Sequence, residues 1–209
     1  MANQIETHVE IKFENRDRQK VFFRLILSAP VFFFLYLFEQ FASNSDWNTL
    51  ALGLPVAAAL VARNIYPSWL LNFNHAVLEF STRVAAYVFL LTDDYPTFER
   101  NPKVAVIFPD VEGGKKLNRW LPLVKWFLAI PLYIVGLFYA LLAFIATLLA
   151  WAITSLTGTY PAWAGELTLN TLRFWNRVYG YAVVLVTDCL LYTSPSPRDY
   201  AASRMPSSA

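Results

Sequence analysis

Two sets of side chains share one spacing and could do chemistry together: Arg83, Tyr87 and Asp93, and Arg177, Tyr181 and Asp188. Arginine and tyrosine four residues apart fall on the same face of a helix. Such a pair could hold a phosphate, as in a lipid headgroup, or a carboxylate at a helix end, because the guanidinium fork suits both. The same residues admit a purely structural reading, in which each arginine staples its segment to the Thr92-Asp93 or Thr187-Asp188 turn. Glu79 and Arg83, at i and i+4, suit a local ion pair. The matching positions in the second set are Arg173 and Arg177, so the acid is not repeated.

Other chemistry is hard to build from this chain. His8 and His75 are the only histidines, and neither sits at metal-ligand spacing from Cys, Asp or Glu. Gly113-Gly114 reads as a turn rather than a phosphate loop. No serine or cysteine stands in a recognisable nucleophile motif. No catalytic residue, metal or cofactor is therefore expected, and a net charge of +2 is too small to point to nucleic acid.

The elements that position these residues are written twice. Tyr66 to Tyr160, Arg83 to Arg177 and Tyr87 to Tyr181 are each a step of 94 residues. Trp69 and Trp163 also recur, and with Tyr66 and Tyr160 they are expected to act as interfacial anchors. Each copy follows a long apolar run, so the expected unit is a membrane hairpin followed by an amphipathic helix. The expected organisation is a first repeat over 1–98, a second over 99–188, and a tail over 189–209. The fold class that follows is an all-α membrane protein, a tandem repeat with a short β-strand before each copy.

Composition agrees: 56% hydrophobic and 15% charged residues are unusual for a soluble domain of 209 residues. Polar–apolar alternation marks a strand over 8–13, and a second β-prone run covers 103–108; the two could pair. Apolar runs cover 21–42 and 49–62, separated by a polar break at 43–48. Residues 121–156 hold no charge except Lys125. Thirty-six residues exceed one crossing, and two crossings with a turn near 140–144 are the favoured reading over one long tilted helix. Pro30 and Pro131 head equivalent runs.

Basic residues precede both hairpins and follow them, while the 43–48 break carries Asp46 and no Lys or Arg. Both ends are therefore expected on the cytoplasmic side of a bacterial inner membrane crossed several times. The first twenty residues are polar and charged, so insertion is expected to start at the first apolar run. The segments after Pro67 and Pro161 show helical apolar spacing, and are expected to lie along the interface with their arginines toward lipid phosphates. The alternative is a span buried within the bundle.

Several motifs together resemble a known family. They are Leu128-Ala129-Ile130-Pro131, Thr157-Gly158-Thr159-Tyr160-Pro161, Arg177-Val178 with Tyr181, Arg83-Val84 with Tyr87, and Thr92-Asp93 with Tyr95-Pro96 and Phe98. As a set, they are similar to the bacterial membrane-protein family catalogued as domain of unknown function 4389, in two copies over about residues 5–188. The resemblance implies the architecture above and carries no established activity. The second copy departs from it after Asp188. There Cys189 and a Ser/Pro-rich stretch read as a non-native tail resembling translated sequencing adapter, the alternative being a native disordered tail. Cys189 is the single cysteine, so no internal disulfide is possible.

The expected function is that of a non-catalytic scaffold, accessory or lipid-interacting membrane protein. Its partners would be the lipid bilayer, anionic lipids among them, or another membrane protein. A small tandem-repeat transporter or channel subunit, or an enzyme on a lipid-linked substrate, remain open.

Overall fold

The computed structural model describes residues 4–43, 50–97, 99, 101–118 and 120–188. The break at 44–49, Phe98, Arg100, Arg119 and the tail from Cys189 onward lie outside the described residues. The chain is mostly helical with one small sheet. In order it forms β1 (Glu6–Val9), α1 (Arg18–Phe22), α2 (Arg24–Ser43), α3 (Leu50–Arg63), α4 (Ser68–Val88), β2 (Val104–Ile107), α5 (Leu121–Thr157) and α6 (Ala162–Ala182).

β1 and β2 pair antiparallel, from Glu6 opposite Ile107 to Val9 opposite Val104. The expected pairing is present, but β1 begins and ends earlier than 8–13. Glu10 N still donates to Lys103 O, after which the chain is used elsewhere: Phe13 O accepts from Tyr160 N at 2.7 Å. Asp17 starts α1 by accepting from Gln19 N and Lys20 N. α4 and α6 begin directly after Pro67 and Pro161, whose extended backbones lead into the first turn.

Positions related by the 94-residue step meet across the molecule. Asn176 Nδ2 donates to Thr82 Oγ1 at 3.0 Å, fixing where α4 crosses α6, and also to Thr7 Oγ1 at 2.9 Å. Each Tyr-Pro start is held by the other half. Tyr66 N donates to Gly113 O and the Tyr66 hydroxyl to Val184 O, while Tyr160 N donates to Phe13 O and the Tyr160 hydroxyl to Phe89 O. The turns after α4 and α6 match as well, with Leu90 at φ 62° and Leu185 at φ 61°. Each is a left-handed residue that a branched side chain adopts only under tertiary constraint.

Two expectations are corrected here. First, α5 is one unbroken helix of 37 residues, about 55 Å long, with no turn at 140–144. The first half has polar turn residues between its apolar runs, whereas 140–144 reads Ala-Leu-Leu-Ala-Phe, all compatible with a helix. The helix ends at Gly158, which takes φ 77° as only glycine does readily. Second, Arg83 of α4 and Arg177 of α6 are buried and not turned outward, while Trp69, Phe73, Trp163 and Glu166 stay exposed on the other faces of these helices. Their polar residues Asn74, Thr82, Thr168 and Asn176 are buried and hydrogen-bonded. A polar helix face that finds partners can be buried without a large desolvation cost.

α5 carries an inverted pattern. Small residues (Ala129, Gly136, Ala143, Ala146, Ala150) face inward, and a Cβ on Gly136 would stand 2.9 Å from the rings of Phe174 and Trp175. The large residues, including Phe127, Ile134, Leu137, Phe138, Leu141 and Leu148, face outward and are exposed. Small-inside packing is how helices approach closely in lipid.

Candidate functional site

Asp93 and Asp188 each anchor a cation held over a tyrosine. In the first half the cation is Arg24, at the start of α2. Its Nη2 meets Asp93 Oδ1 at 2.7 Å, its Nη1 donates to Tyr87 O at 3.1 Å, and its guanidinium lies 4.5 Å from the Tyr87 ring centroid. In the second half the cation is Lys125, in the first turns of α5. Its Nζ meets Asp188 Oδ1 at 2.8 Å, donates to Thr187 O at 2.6 Å, and lies 5.3 Å from the Tyr181 ring centroid. Both cations are buried. Arg24 and Lys125 are separated by the same number of residues as Pro30 and Pro131.

The first cluster has a second buried cation. Arg16, whose side chain is fully buried, donates from Nη1 to Leu90 O at 2.6 Å and from Nη2 to Leu91 O at 3.2 Å. Its Nε donates to Lys12 O, its Nη1 lies 3.5 Å from Asp93, and it stacks 4.6 Å over the Tyr160 ring. Arg16 thus fastens the left-handed turn after α4 to the Tyr-Pro start of α6. Burial pushes the Arg16 pKa down and Asp93 opposes this; an arginine stays charged regardless. Burial raises Tyr87, with the neighbouring Arg24 pulling the other way. In the second cluster Asp188 Oδ2 accepts from Asn118 N at 2.6 Å. Beside it lies an open groove of about 290 Å³ lined by Asp110, Val111, Lys116, Leu117, Thr187 and Asp188.

The structure therefore joins Tyr87 to Asp93 and Tyr181 to Asp188, but through Arg24 and Lys125. Arg83 is 4% exposed and turns to Glu79 Oε1 at 2.8 Å and Thr97 O at 3.1 Å. Arg177 is 8% exposed on α6. Buried arginines do not face headgroups, so their placement favours stapling over phosphate capture. Tyr66 and Tyr160 are 3% exposed and cannot be outward anchors, whereas Trp69 at 69% and Trp163 at 50% stand free to do so.

Asp93 is held by Arg24 and Arg16, and Asp188 by Lys125 and the Asn118 amide, so both clusters can lock the fold. Among the described residues no group of three or more His, Cys, Asp and Glu side chains could hold a metal. No family model, curated protein or solved structure matches this chain. The resemblance drawn from the motifs rests on those residues alone. Sequence reasoning missed Arg16, Arg24 and Lys125 as site members. The signal available was that Arg24 and Lys125 are the cations heading equivalent apolar runs.

Proposed function

We propose that this chain is a non-catalytic membrane protein, a scaffold, accessory or lipid-interacting component of a bacterial cytoplasmic membrane with both ends on the cytoplasmic side. The multi-pass tandem-repeat architecture and membership of the family catalogued as domain of unknown function 4389 belong to the same proposal. One observation carries the membrane part. Among the described residues, α5 alone is long and apolar enough to cross a bilayer, with mean hydropathy 2.4 and only 22% of its most apolar stretch buried. The core helix of a soluble protein would be mostly covered.

Seventeen Leu, Ile, Val and Phe side chains of α5 are more than a third exposed. At roughly 1 kcal/mol for the uncovered half of each, removing them from water is worth on the order of 10–20 kcal/mol. Only a lipid phase or a large protein interface supplies that. The ion pairs that hold Asp93 and Asp188 favour a structural role for both clusters. A transporter or channel subunit gains less support, because Lys125 is the one charge on α5 and is held by Asp188.

Purification of the full chain in lipid nanodiscs from a bacterial membrane, with mass spectrometry of everything retained, tests the role. A stoichiometric membrane protein or enriched anionic lipid is the expected result. Uptake of a labelled solute into vesicles dependent on this chain would replace the reading by transport.

A further inference from the structure

We infer that α5 lies in the plane of the membrane, its outward face sunk at the boundary between headgroups and acyl chains of the cytoplasmic leaflet, instead of crossing. This rests on the membrane reading above and states which part of the bilayer the chain recognises.

Length is the first reason. The exposed apolar face runs from Leu123 to Leu156, about 50 Å at 1.5 Å per residue. A hydrocarbon core is about 30 Å thick. Fitting that face by tilting would need about 53° from the membrane normal, beyond the range of about 0–40° that spanning helices occupy. Laid flat, the whole face is used.

The second reason is what α5 carries with it. α6 runs back along it: Trp126 Nε1 donates to Ala182 O, Gly136 touches Phe174 and Trp175, and Ala146 and Ala150 share a cluster with Tyr160 and Ala164. Wherever α5 goes, α6 must follow. α6 presents Glu166 and Asn170 to the outside, and its Arg173 donates to Thr7 O of β1. A crossing α5 would draw these groups and a two-stranded sheet with open edges to hydrocarbon depth. Open sheet edges do not occur in lipid, and each charge there costs about 2.5–3.5 kcal/mol or more. A flat α5 leaves α6, α4 and the sheet on the water side.

The ends agree. Trp120 and Trp163 are exposed at opposite ends of the α5–α6 pair, where interfacial aromatics belong. Arg18 Nη2 reaches Thr157 O at one end. Exposed Phe22 and Phe23 widen the apolar floor beside α5, with Phe22 stacked on Trp151.

Spin labels on single cysteines decide this. Leu123→Cys, Leu141→Cys and Leu156→Cys, each in the full chain with Cys189→Ser, sit at the start, middle and end of the exposed face. Their depth is read in anionic vesicles from relative accessibility to oxygen and a water-soluble nickel chelate. The expected result is one shared depth about 5–10 Å below the phosphates. A middle label about 15 Å deep, near the bilayer centre, with the end labels near opposite surfaces, would overturn the flat orientation and leave the membrane reading intact. Water-like accessibility at all three, in protein that does not float with vesicles, would remove both.

Discussion

Replacing Arg16 by alanine should lower stability by about 3–5 kcal/mol, the largest effect of any single side chain in the first half. The side chain is fully enclosed and serves Lys12, Leu90 and Leu91 carbonyls together with Asp93. Its loss leaves buried carbonyls without donors around a residue at positive φ, and leaves Asp93 to Arg24 and the exposed Lys12. Arg16→Lys should recover little, because one ammonium cannot reproduce a fork that spans three carbonyls. Denaturant unfolding in detergent, followed by tryptophan fluorescence, measures it. A midpoint unchanged by Arg16→Ala would show that the turn after α4 holds without this staple.

The second large effect is expected at Lys125. Lys125→Ala removes the partner of Asp188 and the donor to Thr187 O from a fully buried position, again at about 3–5 kcal/mol. Breaking a buried pair from one side costs more than replacing it from both. The double variant Lys125→Met with Asp188→Asn should therefore unfold much closer to the wild type than Lys125→Ala does. Equal losses in the two variants would mean that shape, not charge, dominates there.

Much of this was legible in the chain. The 94-residue step pointed to the matched Tyr-Pro starts, and the alternation over 8–13 with the β-prone run over 103–108 pointed to two strands that pair. What the sequence could not supply were partners distant along the chain. Arg24 lies 69 residues from Asp93 and Lys125 lies 63 from Asp188, whereas Arg83 lies four residues from Tyr87 and so looked like its natural companion. The polar faces of α4 and α6 are ambiguous for a related reason. Asn, Thr and Arg at helical spacing read the same whether water or buried donors and acceptors satisfy them; only the crossing at Thr82 and Asn176 decides. The turn at 140–144 was carried over from the first half, but the polar residues that make that break have no counterpart in α5.

Conditions matter for any measurement on membrane attachment. Burial pushes the Tyr66 hydroxyl up to about 12, despite the hydrogen bond from Asn74, and burial also raises Tyr160 and Tyr179. A phenol whose folded value exceeds its unfolded value of about 10 contributes stability that is complete below pH 10. That contribution is lost as pH rises toward 12. Alkaline extraction would therefore unfold the chain while testing its attachment.

Flotation with anionic vesicles at neutral pH, comparing the wild type with Ile134→Glu, Leu141→Glu and Leu148→Glu combined, tests most directly whether the outward face of α5 is what holds the protein to lipid. All three side chains are exposed, so folding should survive. At about 2–3 kcal/mol for each carboxylate, partitioning should fall by more than about ten-thousand-fold, so the wild type floats and the folded triple variant stays in solution. A triple variant that floats as well as the wild type, or a wild type that does not float, would contradict it.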